Sequence, residues 1–362
     1  MKPYVLKTEY ACGVDLHSRQ MYVCIMDRDG NIQLHTNIKG NSLEFFSKLI
    51  EPYKSNLTVC CESTFNWYFL KDFCDTHQIP FIIGHALYMK HIHGGKAKND
   101  RIDSKKIADL LRSNFLPPSY PYPAHLRSAR DLMRRRTHCS RRRAEFLGHI
   151  PVVAHQYNIK LSDSAAKKQD HKELLKVFDF DLNAQRSIRA DLEIITAFNE
   201  TIKKLEKEIR QFALKEARQS FSILQSIPGC GNIIALSILY EIDDINRFRT
   251  VKDFTSYARL VKCRAESAGK SYGFSGVKIG NPHLKWSFGE LAMYSVIHCP
   301  YMKAYFEKDL LNKFPKPKAY SVLAHKLGRA VYFMLKKKTP AYENAWSKRR
   351  GSSRPPIKVA KR

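Results

Sequence analysis

Cys12-Gly13-Val14-Asp15-Leu16-His17 closes the first run of strand-forming residues in the chain, and the run ends on a carboxylate at Asp15. Residues 10–15 are followed by similar runs at 21–26 and 32–38, the last two joined by Asp27-Arg28-Asp29-Gly30-Asn31. Asp, Gly and Asn close tight turns, so the three runs are expected to form a meander. Asp27 and Asp29 look like the start of a calcium loop, but no later Glu completes it, and they are read as the turn. Further on, Leu43, Phe46, Leu49 and Ile50 share one helical face within residues 41–53. A buried strand is expected at 57–61, a helix at 67–77, a strand at 81–83 and a helix at 103–114. Hairpins followed by alternating helix and strand give an α/β domain with a mixed sheet, assigned to residues 1–116.

The full chain of 362 residues is long enough for more than one domain. Its 62 Lys and Arg against 34 Asp and Glu leave a formal charge of +28. Such an excess repels itself and calls for a polyanionic partner, a nucleic acid or an anionic membrane surface. No apolar run approaches the ~20 residues of a transmembrane helix, and Met1-Lys2-Pro3-Tyr4 does not open like a signal peptide. Nine cysteines without regular spacing, several among β-branched neighbours, exclude a disulfide scaffold and fit a reduced cytoplasm.

Residues 117–185 begin with a stiff Pro-rich connector, Pro117-Pro118-Ser119-Tyr120-Pro121-Tyr122-Pro123. An arginine-dense helix follows, with Arg127, Arg130, Arg134, Arg135, Arg136, Arg141, Arg142 and Arg143. Local acids are scarce, so these side chains are expected to bind a nucleic-acid backbone rather than form a solvated face. In 186–220, Ile188, Ile195, Phe198, Ile202, Leu205, Ile209 and Phe212 follow a heptad spacing, a short coiled-coil seam. The alternative is a long helix packed on its own domain; pairing between chains is the expectation. Compact apolar helices fill 221–335, and 336–362 form a basic tail.

Four acids of the first domain stand at strand ends or a helix start. Asp15 ends the first strand and Glu62 ends the buried strand 57–61. Asp100 and Asp103 lie three apart, on one helical face. Four carboxylates gathered at one sheet end need a cation, and Mg²⁺ takes oxygen ligands while keeping sites for phosphate. Each acid alone has a plainer role, such as a helix cap or a solvated strand end.

A second constellation lies downstream. Ser226-Ile227-Pro228-Gly229-Cys230-Gly231 opens an apolar helix, as a helix-hairpin-helix element does when Gly229 and Gly231 present backbone N–H groups to phosphate. An ordinary inter-helix turn reads the same way. Arg264, Lys270 and Lys278 surround a Gly-rich loop carrying Ser267, Ser271 and Ser275. A serine nucleophile needs such cations against the crowded phosphate, and spacing does not choose among the three.

Taken in order, Gly13-Val14-Asp15, Glu62, Asp100-Arg101-Ile102-Asp103, Ser226 to Gly231, Glu266-Ser267-Ala268-Gly269-Lys270 and Lys278-Ile279-Gly280-Asn281 make the chain similar to the DEDD transposases of the insertion sequence 110 family, which also includes pilin-gene invertases. The resemblance implies an N-terminal RuvC-like domain of RNase H fold whose four acids bind Mg²⁺. It also implies a central coiled coil and a mainly helical C-terminal transposase domain whose nucleophile is Ser267. Ala268 stands where many members carry Gly directly after the serine, which leaves Ser271 as the alternative.

The implied activity is that of a site-specific DNA recombinase guided by a structured non-coding bridge RNA. A covalent serine–DNA intermediate would link donor and target DNA. Acids from one chain and the serine from another would share a site in a dimer or tetramer held by the coiled coil. A prokaryotic, nucleoid-associated, cytoplasmic protein follows from the same resemblance. Two other readings compete: a RuvC-type metal-dependent junction resolvase or nuclease, and a non-catalytic nucleic-acid-binding protein.

Overall fold

The computed structural model describes residues 3–92, 99–161, 171–275 and 279–340. Lys278 and the basic tail from residue 341 onward lie outside the described residues, as do the side chains of Arg264 and Ser267. The chain divides into two units, Met1–Ala124 and His125–Arg362.

In the first unit, β1 (Tyr10–Leu16), β2 (Gln20–Met26) and β3 (Ile32–Lys39) form the expected antiparallel meander. Then come α1 (Leu43–Ile50), β4 (Leu57–Glu62), α2 (Tyr68–Thr76), β5 (Phe81–Gly84), α3 (Ala86–Ile92) and α4 (Asp100–Arg112). β4 lies parallel to β1, and β5 parallel to β4. The sheet order is β3-β2-β1-β4-β5-β6, where β6 (Pro118–Ser119) pairs antiparallel with β5. The Pro-rich stretch read as a connector therefore also supplies an edge strand, the position where a missing proline N–H costs no ladder bond.

Both sheet faces are covered. Val14, Val23, Ile25, Val59 and Cys61 pack with Phe46, Ile50, Leu70 and Cys74 of α1 and α2. On the other face Ala11 and Cys60 meet Ile107, Leu110 and Leu111 of α4. The eight described cysteines whose state is defined are buried and free.

One glycine sets the spacing on the α4 face. A Cβ on Gly13 would lie 2.3 Å from the Ala108 amide nitrogen and 2.4 Å from the Ser104 carbonyl oxygen. The helix therefore rests directly on the β1 backbone, and only Gly fits. α4 begins earlier than the sequence suggests because Asn99 caps it, its side chain accepting from Ile102 N at 2.8 Å. The capping role is thus taken by Asn99, leaving Asp100 and Asp103 in the first turn.

The second unit is helical, built on two long rods, α5 (Ala124–Gln156) and α6–α7, where α6 is His171–Val177 and α7 is Leu182–Glu216. The heptad seam of α7 is buried within this chain. Ile188, Leu192 and Ile195 pack with Ile150, Val153 and Ala154 of α5. Arg143 bonds Asn199 at 2.8 Å, and Arg136 bonds Glu206 at 2.6 Å, so the two helices run antiparallel. Phe146 lies 6.2 Å from Phe198, and Phe212 lies 6.1 Å from Tyr240, further along the same stripe. This corrects the expected pairing of the seam between two chains: the apolar stripe is satisfied locally by α5 and by Tyr240.

α8 (Arg218–Gln225), α9 (Asn232–Ile242), α10 (Val251–Tyr257), α11 (Pro282–His298), α12 (Pro300–Tyr305) and α13 (Lys316–Lys337) complete the unit. A two-stranded hairpin, β7 (Cys263–Ser267) and β8 (Lys270–Ser275), stands between α10 and α11. α9 is buried from Ile234 to Ile242, which explains its largely apolar composition, broken by Ser237 and Glu241. Among the described residues, no helix is long and apolar enough to cross a membrane.

Candidate metal centre

Gly13 and Asp15 lie two apart on a strand and share a face. The glycine that admits α4 therefore also directs Asp15 to the first turn of that helix. His17, just past the strand end, places Nε2 3.1 Å from Asp15 Oδ2 and 3.3 Å from Asp100 Oδ1. The ligand atoms of Asp15, His17 and Asp100 all fall within 4.8 Å of one another. Gln20 Nε2 donates to the other Asp100 oxygen at 2.9 Å, and Asn37 donates to Gln20 Oε1 at 3.1 Å. A short polar chain thus fixes how Asp100 is turned.

The other two expected acids are placed less tightly. Asp103 lies near enough to raise the Asp15 carboxyl, and its own Oδ1 is 3.5 Å from Lys106 Nζ. Gly13 pairs with Cys60 and Val14 with Cys61, so Glu62 is the residue beside Asp15 on the neighbouring strand. Cys60 packs against α4, and Glu62, two residues on, is on that same face. Glu62 is not one of the three clustered residues.

Burial pushes the Asp15 carboxyl up from its ordinary value; His17 opposes this, and Asp100 and Asp103 add to it. A carboxylate held costly to ionise, among like charges, is stabilised by a cation. Two carboxylates and an imidazole, with two more acids at the same sheet end, are a donor set suited to a divalent ion. His17 had no role in the sequence reading. The signal available was its position, two residues beyond Asp15 at a strand end.

The arginines of α5 divide into buried or paired side chains and exposed ones. Arg127 is only 4% exposed and cannot reach a phosphate, which corrects its assignment to nucleic-acid binding. Arg130 Nε bonds Glu241 Oε2 at 3.1 Å, and Arg134 bonds both Glu241 oxygens at 2.7 and 3.0 Å. Arg136 and Arg143 are engaged with α7 as described. Arg135, Arg141 and Arg142 are exposed, Arg142 with Glu145 3 residues on at 2.8 Å. The acids that meet Arg130, Arg134 and Arg136 come from elsewhere in the sequence, Glu241 and Glu206.

Glu241 is the centre of that arrangement. Burial alone would raise its carboxyl, but Arg134 and Arg130 hold it down at about 2. Asn281 Nδ2 donates to Glu241 Oε2 at 2.7 Å, while Asn281 Oδ1 caps α11 by accepting from His283 N and Leu284 N. The motif residue Asn281 thus ties α11 to α9 and, through Glu241, to α5. A lone acid in an apolar helix of an arginine-rich chain was the signal for this network.

Gly229, with φ +85°, is pressed against α11: a Cβ there would lie 2.5 Å from Ser295 N. Ser295 Oγ donates to the Pro228 carbonyl at 2.8 Å. Gly229 therefore has a packing role, whereas a Cβ on Gly231 would meet nothing within 4 Å. Gly229, Gly231 and Asn232 border a cleft of about 1360 Å³ together with Arg136, Lys207, Arg210 and Trp286.

In the β7–β8 hairpin Ser267 pairs with Lys270 across Ala268 and Gly269, both with positive φ, +49° and +74°. That is the tight turn in which Gly is favoured at both central positions. Ser267 is the last strand residue before it, and Ser271 and Lys270 are exposed on β8.

Residues 12–159 match a model of the DEDD transposases of IS110 type, and residues 221–307 match the model described as Transposase IS116/IS110/IS902 family. A transposase for insertion sequence element IS1111A from Coxiella burnetii (strain RSA 493 / Nine Mile phase I) is 22% identical over 191 residues, 52% of each chain. The chain thus spans about half the length of that curated relative. The carboxylates converging under α4 lie within the first matched region and the Glu241–Asn281 network within the second, and on these matches the chain belongs to the IS110 family of DEDD transposases.

Proposed function

We propose that this chain is the catalytic protein of an insertion sequence, cutting and rejoining DNA phosphodiesters with a divalent cation held by Asp15 and Asp100, with Glu62 and Asp103 at the same sheet end. The observation that carries this reading is the convergence of Asp15 and Asp100 allowed by the close approach of α4 to Gly13. A bound divalent cation, with Mg²⁺ the expected ion, supplies charge neutralisation at phosphate and an activated oxygen. The chain's part is to hold the carboxylates in place: Gln20 and Asn37 keep Asp100 turned toward the site, and α4 packing keeps Asp15 out of bulk water.

The finer reading takes Ser267 as nucleophile. Its hydroxyl oxygen would bond to phosphorus as a deoxyribose oxygen leaves, with one proton lost by the serine and one gained by the leaving oxygen. The position of Ser267 beside an exposed turn, with Lys270 across it, supports this role. The matched models name DEDD transposases of IS110 type, and the serine step is a proposal about this chain. Donor and target DNA are the proposed substrates. A guide RNA from the element's flanks is the proposed partner, supported by the resemblance and by a charge of +28.

Mass spectrometry of protein incubated with Mg²⁺, element-end DNA, target DNA and flanking RNA tests both levels. A nucleotide on a peptide containing Ser267 supports the covalent step. Cleaved DNA without an adduct supports a metal-dependent nuclease alone. Intact DNA in Mg²⁺, with and without RNA, counts against catalysis.

A further inference from the structure

We propose that His17 is itself a metal ligand, forming with Asp15 and Asp100 a mixed nitrogen–oxygen site that prefers Mn²⁺ to Mg²⁺. This rests on the metal-site reading above and adds to it a ligand and an ion preference.

The geometry points to ligation in three ways. First, His17 Nε2 is aimed at two carboxylates at once, 3.1 Å from Asp15 and 3.3 Å from Asp100. A single ring nitrogen carries at most one proton, which cannot be directed well at both oxygens. A cation between the three atoms satisfies all of them. Second, metal–ligand bonds of about 2.1 Å at right angles put neighbouring donors about 3 Å apart. The two separations here match that edge. Third, Asp100 has its other oxygen held by Gln20, and Gln20 is held by Asn37. Such outer hydrogen bonds orient ligands in metal sites.

The choice of ion follows from the donor atoms. Mg²⁺ is hard, gives up water reluctantly and takes oxygen. Imidazole nitrogen binds the first-row transition ions more readily. His17 is 48% exposed on its side chain, so an ion can reach it without opening the fold.

Mn²⁺ paramagnetic resonance on the full-length protein gives the direct test, because an imidazole ligand leaves a ¹⁴N coupling on the bound ion. Wild type should bind Mn²⁺ with that coupling, and His17→Ala should bind it without the coupling and about tenfold or more weakly. Competition titration should show Mn²⁺ preferred over Mg²⁺ in wild type, with the margin largely lost in His17→Ala. Mn²⁺ bound without ¹⁴N coupling, in a manner abolished by Asp15→Asn, would overturn the role of His17 and leave the carboxylate site standing. Coupling that survives His17→Ala would place the ion on another histidine and overturn the proposal. Failure of wild type to bind Mn²⁺ or Mg²⁺ would overturn both this inference and the metal-site reading beneath it.

Discussion

Gly13 of β1 and Ala108 of α4 meet backbone to backbone, with only 2.3 Å between the Ala108 nitrogen and the place a Gly13 Cβ would occupy. On the same helix, Ala108 lies about two turns from Asp100 and about one and a half turns from Asp103. Gly13→Ala must push α4 outward, a form of overpacking that costs about 1–3 kcal/mol. It should lower the unfolding midpoint and also weaken divalent-ion binding, although no acid is altered. Calorimetric titration of the variant checks the second effect. Unchanged affinity would mean that α4 packing does not position the carboxylates.

Ala268 holds φ at +49°, in the left-handed region where a Cβ is unfavourable. Ala268→Gly should stabilise the hairpin by about 0.5–1 kcal/mol, after allowing for the greater freedom of Gly in the unfolded chain. Thermal or urea unfolding measures it. A loss of stability would show that the turn differs from the one described.

Glu241 links α5, α9 and α11, and its carboxyl is held at about 2 against a usual value near 4.5. A depressed carboxylate stabilises the fold above its unfolded value, and that contribution is lost as pH falls through the folded value. The window is therefore roughly pH 4.5 down to 2, with about 3 kcal/mol at stake. Acid unfolding followed by circular dichroism should be steep there in wild type. Glu241→Gln should be less stable at neutral pH and flatter across the window.

Neutralising arginines should separate by their partners. Arg135→Gln and Arg141→Gln, both at exposed positions, should weaken nucleic-acid binding and lower the salt slope by about one per contacted phosphate. Stability should be unaffected. Arg134→Gln should instead destabilise the fold by a few kcal/mol, because Glu241 is left buried and underpaired. Binding titrations across salt, beside unfolding curves, distinguish the two groups.

The first unit was legible because its signals are local. Strand composition, the Asp27–Asn31 turn and the position of Asp15 and Glu62 at strand ends can all be read within a few residues. The start of α4 was missed by three residues because Asn99, not an aspartate, is the cap. The second unit depended on distant pairings. The periodicity of Ile188, Ile195, Ile202 and Ile209 marks a stripe that must be covered, but it carries no record of whether the cover is a second chain or α5. Arg130 and Arg134 find Glu241 more than 100 residues away, so an acid count in their neighbourhood could not reveal the pairing. Histidine at a strand end is common, and the meaning of His17 comes only from Asp100, which the fold brings to it.

The most direct measurement is strand cleavage of DNA carrying the element's ends, in the presence of flanking RNA, by wild type, Asp15→Asn and Asp100→Asn across a titration of Mn²⁺ and Mg²⁺. Wild type should cut in a metal-dependent manner that a chelator stops. Both variants should lose about 100-fold or more of the rate, at least what is lost when supporting residues of metal sites are removed. Cleavage by Asp15→Asn at the wild-type rate, with the same metal dependence, would contradict a catalytic centre built on Asp15 and Asp100.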